Sequence, residues 1–250
     1  MSGGQPILEA RSLIAGYERD INVLNSISVQ AWPGRIACVL GPNGTGKSTL
    51  LKTIFGFLRP VQGEVLLAGR NIVGLPPHEM IRNGVTFLPQ QPSLFPYLSV
   101  EVNLSLGTWH ARRSGRDWRE RIEAAYGQFP VLREKRRQLA GQLSGGQQRQ
   151  LEIARATLSD PILLLIDEPS AGIDPMTSAD IYKMIEQLAR LENKAILLVD
   201  QDVRRALSIA DYVYVVRNGT LFSEGPRGVF GSDVPALMSH WIGAKSPTMP

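Results

Sequence analysis

The chain has 250 residues, 43% of them hydrophobic, and carries 27 Lys and Arg against 23 Asp and Glu, a formal net charge of +4. That length and apolar content supply a core that needs no metal or disulfide, and the slight charge imbalance excludes a chain-wide nucleic-acid face. The single cysteine, Cys38, excludes an internal disulfide and, inside an apolar run, is expected to fill core in a reducing compartment.

The start, MSGGQPILEARS, lacks the basic-then-apolar pattern of a signal peptide, and no later segment reaches the ~20 apolar residues of a membrane span. A soluble chain is expected. Residues 7–40 hold three Val/Ile/Leu-rich runs broken by Gly16 and Pro33-Gly34, which predict strands joined by turns. A helix follows from about Lys47 to Phe57, then strands at Glu64–Leu67 and Gly84–Leu88. From Val100 to about Leu139 the spacing turns helical, as in Trp118, Ile122, Ala125, Tyr126 and Phe129, and predicts an inserted helical unit. A helix over Gly145–Leu158 leads into Ile162–Ile166, a continuous apolar run of the kind a doubly covered parallel strand needs. Further helices are predicted near Pro175–Leu191 and Val203–Ala210, and strands at Ala195–Val199, Tyr212–Val216 and Thr220–Glu224. Strand–helix alternation of this kind predicts an α/β sheet, and a tail after Lys245 is expected to be loose.

Two basic clusters, Arg112, Arg113, Arg116, Arg119 and Arg121, and Arg133, Lys135, Arg136 and Arg137, read as solvated helical faces, with a nucleic-acid or lipid-headgroup patch as the alternative. No aromatic ladder accompanies either, so no nucleic-acid partner is expected.

Three motifs carry chemistry. Gly41, Pro42, Asn43, Gly44, Thr45, Gly46, Lys47, Ser48 and Thr49 follow an apolar run and precede a helix. They fit the pattern G-x-x-x-x-G-K-[ST], whose backbone N–H groups cradle phosphates while Lys47 reaches the β- and γ-phosphates and Ser48 binds Mg²⁺. The apolar strand ending in Asp167 and Glu168 delivers two carboxylates at a strand's carboxyl end, one to hold Mg²⁺ through its water shell and one to orient an attacking water. Leu143-Ser144-Gly145-Gly146-Gln147 opens a helix and forms a second anion-binding helix start. Two such starts far apart in one chain make sense if they meet across a dimer.

On these residues the chain resembles the nucleotide-binding subunit of ATP-binding cassette (ABC) transporters over nearly all of residues 7–243. The resemblance implies a P-loop NTPase of the ABC ATPase type: an α/β mixed sheet core with an antiparallel β part and an inserted helical subdomain. It implies one domain over residues 1–245, with a RecA-like core and β part in 1–90 and 160–245, a helical subdomain over about 91–159 carrying the signature motif, and a loose tail at 246–250. ATP and Mg²⁺ are the implied ligands. Ser144–Gln147 would close on ATP held by the opposite subunit, Tyr17 would stack on adenine, and Ala171–Asp174 would cross the dimer interface. Gln90, with Gln91 its neighbouring candidate, would touch magnesium and sense the membrane partner.

One position departs from the pattern. Where family members place a histidine against the γ-phosphate, this chain has Gln201 within Asp200-Gln201-Asp202, and its three histidines, His78, His110 and His240, are remote in sequence. A glutamine amide hydrogen-bonds a phosphate but carries no positive charge and shuttles no proton. Catalytic roles therefore fall to Glu168, Gln201 and Lys47, and magnesium binding to Ser48, Gln90 and Asp167. Gln201 and QFPVLREKRRQLAGQLSGGQQR resemble the second ATPase subunit of branched-chain amino acid, urea and short-amide importers. LPQQPSLF, LEIARA and DEPSAGIDP resemble equally the ATPase of lipopolysaccharide extraction.

The implied partners are transmembrane permease subunits, a second cassette, identical or sister, and indirectly a periplasmic binding protein, with the chain on the inner face of the membrane. A non-catalytic regulatory subunit is the rival reading. A soluble ABC ATPase would carry two cassettes or a coiled-coil insertion, and a kinase or GTPase leaves LSGGQ unexplained and lacks N-K-x-D.

Overall fold

The computed structural model describes residues 4–18, 21–109 and 117–230. Strands β1 (Leu8–Ala15), β2 (Leu24–Ala31), β4 (Gln62–Leu67) and β5 (Arg70–Asn71) form an antiparallel sheet in the order β2-β1-β4-β5. Strands β3 (Ile36–Leu40), β6 (Val85–Leu88), β7 (Leu163–Asp167), β8 (Ala195–Asp200), β9 (Tyr212–Arg217) and β10 (Thr220–Pro226) form the second, in the order β10-β9-β3-β8-β7-β6. Its strands run parallel except for β10, which returns antiparallel to β9.

Helices α1 (Lys47–Ile54), α2 (Pro77–Arg82), α3 (Val100–Gly107), α4 (Trp118–Gln128), α5 (Pro130–Glu134), α6 (Gly145–Thr157), α7 (Pro175–Glu192) and α8 (Val203–Ile209), with short 3-10 turns at Ala140–Gln142 and Arg227–Phe230, complete the described elements. Helices α3 to α6 lie between β6 and β7, where the sequence predicts a helical insertion.

Strands β3, β7 and β8 are buried at every residue because both faces of their sheet are covered. Side chains alternate between two layers, as the two-residue period of a strand dictates. Ile36, Cys38, Leu40, Leu164, Ile166, Ile196 and Leu198 pack against the helical layer, whereas Ala37, Val39, Leu163, Leu165, Leu197 and Val199 pack against α1 and the antiparallel sheet. Each fully buried Leu or Ile here contributes roughly 1.5–3 kcal/mol. Cys38 is wholly buried, with its thiol against the Ala206 carbonyl, and fills core as the sequence suggests.

Capping fixes the helix starts. Ser99, Asp117, Ser144, Asp174 and Asp202 each accept a first-turn backbone N–H, which satisfies donors that a helix otherwise leaves open. Helix α1 stops at Ile54, short of the predicted Phe57, because Gly56 takes a left-handed φ of +86° where a side chain would meet the Leu75 carbonyl at 2.4 Å. Strand β7 spans Leu163–Asp167, and Ile162, just ahead of it, is exposed. Helix α2 and the two-residue strand β5 have no counterpart in the sequence reading; both are too short for periodicity to register.

The two sheets are tied by Tyr214 of β9, whose buried hydroxyl accepts from the Gln30 N–H of β2 at 2.8 Å. Tyr214→Phe keeps the ring and removes this bond. It is expected to cost about 1 kcal/mol, lowering Tm by roughly 2–4 °C, as read by thermal unfolding.

Candidate active site

The carboxyl ends of adjacent strands β3, β8 and β7 lie side by side, with Leu40 paired to Asp200 and Asp167 to Val199. This register delivers the Gly41–Thr49 loop, Gln201 and the Asp167-Glu168 pair to one edge, where ligands bind in open α/β sheets. The loop backbone needs its glycines. Gly44 and Gly46 have φ of +79° and +98°, and a side chain at Gly41 would meet the Val216 carbonyl at 2.4 Å. The loop is braced from within, Thr45 Oγ1 donating to the Pro42 carbonyl at 2.9 Å.

Lys47 is buried, and its Nζ donates to the carbonyls of Gly41 at 2.8 Å and Pro42 at 2.9 Å. Burial lowers its pKa, against the opposing charges of Glu168, Asp167 and Asp200. Ser48 Oγ donates to Asp167 Oδ1 at 3.0 Å. Burial raises the Asp167 pKa, and this hydroxyl opposes the rise.

Glu168 is the convergence point. Its Oε2 accepts the Gln90 side-chain amide at 2.8 Å and the Gln201 side-chain amide at 3.3 Å. Its backbone has φ of +39°, a left-handed conformation that costs a non-glycine residue energy and persists only where its surroundings enforce it. The enforcing bond runs from the Glu168 N–H to the Val199 carbonyl at 2.9 Å. Desolvation raises the Glu168 pKa, the Lys47 charge opposing it and those of Asp167 and Asp200 adding to it. Both candidate glutamines are exposed, and it is the Gln90 side-chain amide that donates to Glu168.

A cavity of about 430 Å³ is lined by Tyr17, Asn43, Gly44, Lys47, Ser48, Gln90 and Glu168, among others. Tyr17 is 57% exposed, with its hydroxyl 3.4 Å from both Thr49 Oγ1 and Lys52 Nζ, so its ring is available to a ligand. The cavity lining includes none of Ser144, Gly145, Gly146 and Gln147. Ser144 instead closes a capping box, its Oγ accepting the Gln147 N–H while its own N–H donates to Gln147 Oε1, an oxygen that also accepts from Lys135. A side chain at Gly146 would meet Thr177 Cγ2 of α7 at 2.0 Å, whereas the space beside Gly145 is open.

Helix α6 also carries residues that the motif reading missed. Arg149 and Glu152 form an ion pair with both side chains 2% exposed. Arg149 donates to the carbonyls of Pro89 and Asp167, and Glu152 Oε1 accepts both the N–H and the hydroxyl of Ser93. The helix that Ser144 opens is thereby joined to the segment after Gln90 and to the end of β7. Two charges three residues apart on a helix that otherwise buries Leu151, Ile153 and Ala154 are the signal that could have revealed them.

Of the basic residues, Arg133, Arg136 and Arg137 are exposed, Arg119 stacks over the Trp118 ring, and Arg121 pairs with Asp160. Arg112, Arg113 and Arg116, with His110, His240 and the 246–250 tail, lie outside the described residues. His78 is exposed.

Ser48 and Asp167 supply the hydroxyl and carboxylate oxygens that suit magnesium, a hard cation that binds few protein ligands and takes the rest from phosphate and water. No cluster of three or more His, Cys, Asp or Glu side chains that could hold a metal occurs among the described residues.

The phosphate loop, the paired carboxylates at the next strand ends and the helical insertion define a P-loop ATPase. The family model described as ABC transporter matches residues 24–171. The chain is 38% identical over 208 residues to the high-affinity branched-chain amino acid transport ATP-binding protein BraG of Pseudomonas aeruginosa, spanning 83% of this chain and 88% of that protein. It is 37% identical to a probable branched-chain amino acid transport ATP-binding protein, LivF, of Archaeoglobus fulgidus, with 94% and 95% covered. It is also 36% identical to the lipopolysaccharide export system ATP-binding protein LptB of Acidithiobacillus ferridurans, with 95% and 97% covered. Among solved structures, a nucleotide-free ATP-binding cassette from an ABC transporter superposes with a TM-score of 0.81 at 27% identity, covering 96% of this chain and all of that one. The chain belongs to the ABC transporter family and is an ATP-binding, ATP-hydrolysing cassette.

The raised pKa of Glu168 has a consequence for stability. The folded state holds the Glu168 proton more tightly than the unfolded chain does, so its contribution is largest below the ordinary value of 4.5 and is lost as pH rises through the folded value. Glu168→Gln, which removes the charge and keeps the shape, is expected to melt higher than the parent at pH 7.5. The gap should close as pH is lowered toward 4.5, as read by thermal melts across that range.

Proposed function

We propose that two such cassettes enclose two ATP molecules, each between Gly41–Ser48 of one chain and Ser144–Gln147 of the other, and that closure drives a membrane transporter. The observation that carries this reading is the pair of side-chain amides meeting on Glu168 Oε2 beside the phosphate loop. A single chain leaves the Ser144 segment off the cavity, and a second chain would complete it. Tyr17 would stack on adenine. Lys47 would exchange its carbonyl partners for β- and γ-phosphate oxygens, and the loop N–H groups would hold the same anion. Ser48, Asp167 and Gln90 would hold Mg²⁺, which when bound neutralises phosphate charge. Glu168 would orient and polarise the attacking water, and Gln201 would hydrogen-bond the γ-phosphate.

The γ-phosphate is the differential contact: a closed pair binds it and an open pair does not, so hydrolysis shifts the equilibrium back. A groove of about 860 Å³ beyond the Gln90 segment, with Phe55, Phe57, Phe87, Phe95 and Trp109 in its lining, would receive a permease segment. Through Ser93, Glu152 and Arg149 that contact would reach helix α6 and β7. No described helix is long and apolar enough to cross a membrane, which suits a peripheral subunit on the inner face working with separate permeases.

The names of the BraG and LivF relatives support transport of branched-chain amino acids; the reading proposed for this chain is import of these or related small amides, delivered by a periplasmic binding protein. The LptB match, which spans 95% of this chain at 36% identity, favours lipopolysaccharide export as the second reading. Co-expression with permeases of each type, followed by ATPase assay in proteoliposomes, decides between them by which permease stimulates hydrolysis.

Glu168→Gln should bind ATP as the parent does, hydrolyse it roughly 10²- to 10⁴-fold more slowly, the range lost with a general base, and accumulate an ATP-held dimer on size exclusion. A variant that hydrolyses at the parental rate removes Glu168 from this role. Gln201→His should turn over as fast as the parent or faster in a steady-state phosphate-release assay, and a collapse would mean that the amide is specifically required.

A further inference from the structure

Tyr182 of α7 is 3% exposed, yet its hydroxyl is fully engaged, and neither of its partners belongs to a motif that binds nucleotide directly. On one side it donates to Asp200 Oδ2, a very short contact; on the other it lies 3.3 Å from Ser170 Oγ. The direction of the chain follows from donor arithmetic. An ionised carboxylate only accepts, so the single phenolic proton goes to Asp200, and the Ser170 hydroxyl must be the donor to the phenolic oxygen.

The other oxygen of Asp200 accepts two backbone donors, the N–H of Gln201 at 2.7 Å and that of Asp202 at 2.9 Å. Asp200, itself 2% exposed, thus shapes the turn from which the Gln201 side chain projects. Ser170 lies two residues after Glu168, on a turn held by the bond from the Ala171 N–H to the Glu168 carbonyl at 3.2 Å. Gln201 and Glu168 then meet directly through the 3.3 Å amide contact. The links close into a ring: Glu168, the chain to Ser170, Tyr182, Asp200, the chain to Gln201, and back to Glu168.

We infer that Tyr182 is a positioning residue: by bridging Ser170 and Asp200 it sets where the Gln201 amide stands relative to the Glu168 carboxylate. The inference rests on the roles given above to Glu168 and Gln201 and adds a residue on a different helix that sets their spacing. The ring needs a phenol and not merely an aromatic group, because both links run through the hydroxyl. A charge-assisted bond to a buried carboxylate is among the stronger single bonds available, and without it Asp200, at the end of β8, keeps only the two backbone donors on its other oxygen. Burial raises the Asp200 pKa, and the hydrogen bond from the Tyr182 hydroxyl is the strongest effect opposing that rise. The ring also joins the Ser170–Asp174 turn to Gln201, so displacement of that turn by a second chain would be felt at the Glu168 carboxylate through Tyr182.

The test is a double-mutant cycle in the full chain, scored by steady-state MgATP hydrolysis and by the Gln201 side-chain amide signals of ¹⁵N-labelled, nucleotide-free protein. Tyr182→Phe keeps the ring in the core. It is expected to lower kcat about five- to tenfold, the size of one lost hydrogen bond, with KM for ATP held within about twofold, and to shift the Gln201 amide signals. In a Gln201→Ala background the same change should alter kcat by less than about twofold, since the group it positions is gone. Equal losses in both backgrounds, or an unmoved Gln201 amide, overturn the inference and leave Tyr182 as core packing. Should the Phe variant fail to fold, Ser170→Ala removes only the outer link, and it too should shift the Gln201 amide and lose its kinetic effect without Gln201. An unmoved amide there is equally fatal. If Glu168→Gln hydrolyses ATP at the parental rate, the catalytic role of Glu168 falls, while the amide signal still decides the part played by Tyr182.

Discussion

The structure is organised around the cost of keeping an ionisable carboxylate out of water beside the Gly41–Thr49 loop. Glu168 is buried, flanked by the negative charges of Asp167 and Asp200, and held at a backbone angle that L-residues avoid. Burial and the neighbouring charges raise the free energy of its charged form, the backbone angle raises that of the folded chain whatever the charge, and specific groups offset them. The Lys47 charge opposes the desolvation, the amides of Gln90 and Gln201 satisfy Oε2, and the Val199 carbonyl fixes the main chain. Remove the parallel register of β3, β8 and β7 and none of those groups arrives together. The sheet is therefore the means by which three short strand ends, distant in sequence, share one electrostatic problem.

A second buried charge problem lies behind the first. The Arg149–Glu152 pair is almost wholly out of water, where desolvation can exceed the attraction between the ions. Its remaining hydrogen-bonding capacity is spent mostly on the backbone of other elements, on Pro89, Ser93 and Asp167. A hydrophobic pair would fill the volume as well but would hold nothing in register. The ion pair joins the helix opened by Ser144 to both elements that present Gln90 and Asp167, and so couples the helical insertion to the parallel sheet.

Much of this was legible in the sequence, and the boundary of legibility has a physical cause. Local signals sufficed for the phosphate loop, the buried strands, the Asp167-Glu168 end and the capped start at Ser144, because each depends on spacing within a few residues. The sequence puts Gln90 ahead of Gln91 by its resemblance, and in the structure it is the Gln90 amide that reaches Glu168. Arg149, Glu152, Tyr182 and Asp200 went unnoticed because their significance lies in partners 18 to 60 residues away. A tyrosine on an amphipathic helix looks like packing until a carboxylate is found against its hydroxyl. Helix α1 ended early for a reason no periodicity carries, the left-handed turn at Gly56. The relation of Ser144–Gln147 to a bound nucleotide is of a different order again, since one chain does not bring those residues to the cavity.

The close seating of Gly146 on Thr177 leaves no room for even a methyl group between the first turns of α6 and α7. Those two turns are therefore seated closely, and a shift of one along the other has to move the Thr177 side chain first. A neighbouring protein that grips either turn must accommodate both, so its choice of mate is made on a composite surface rather than on two independent ones. Specificity for one sister subunit over another can then arise from the angle between two helices as much as from any side chain they display.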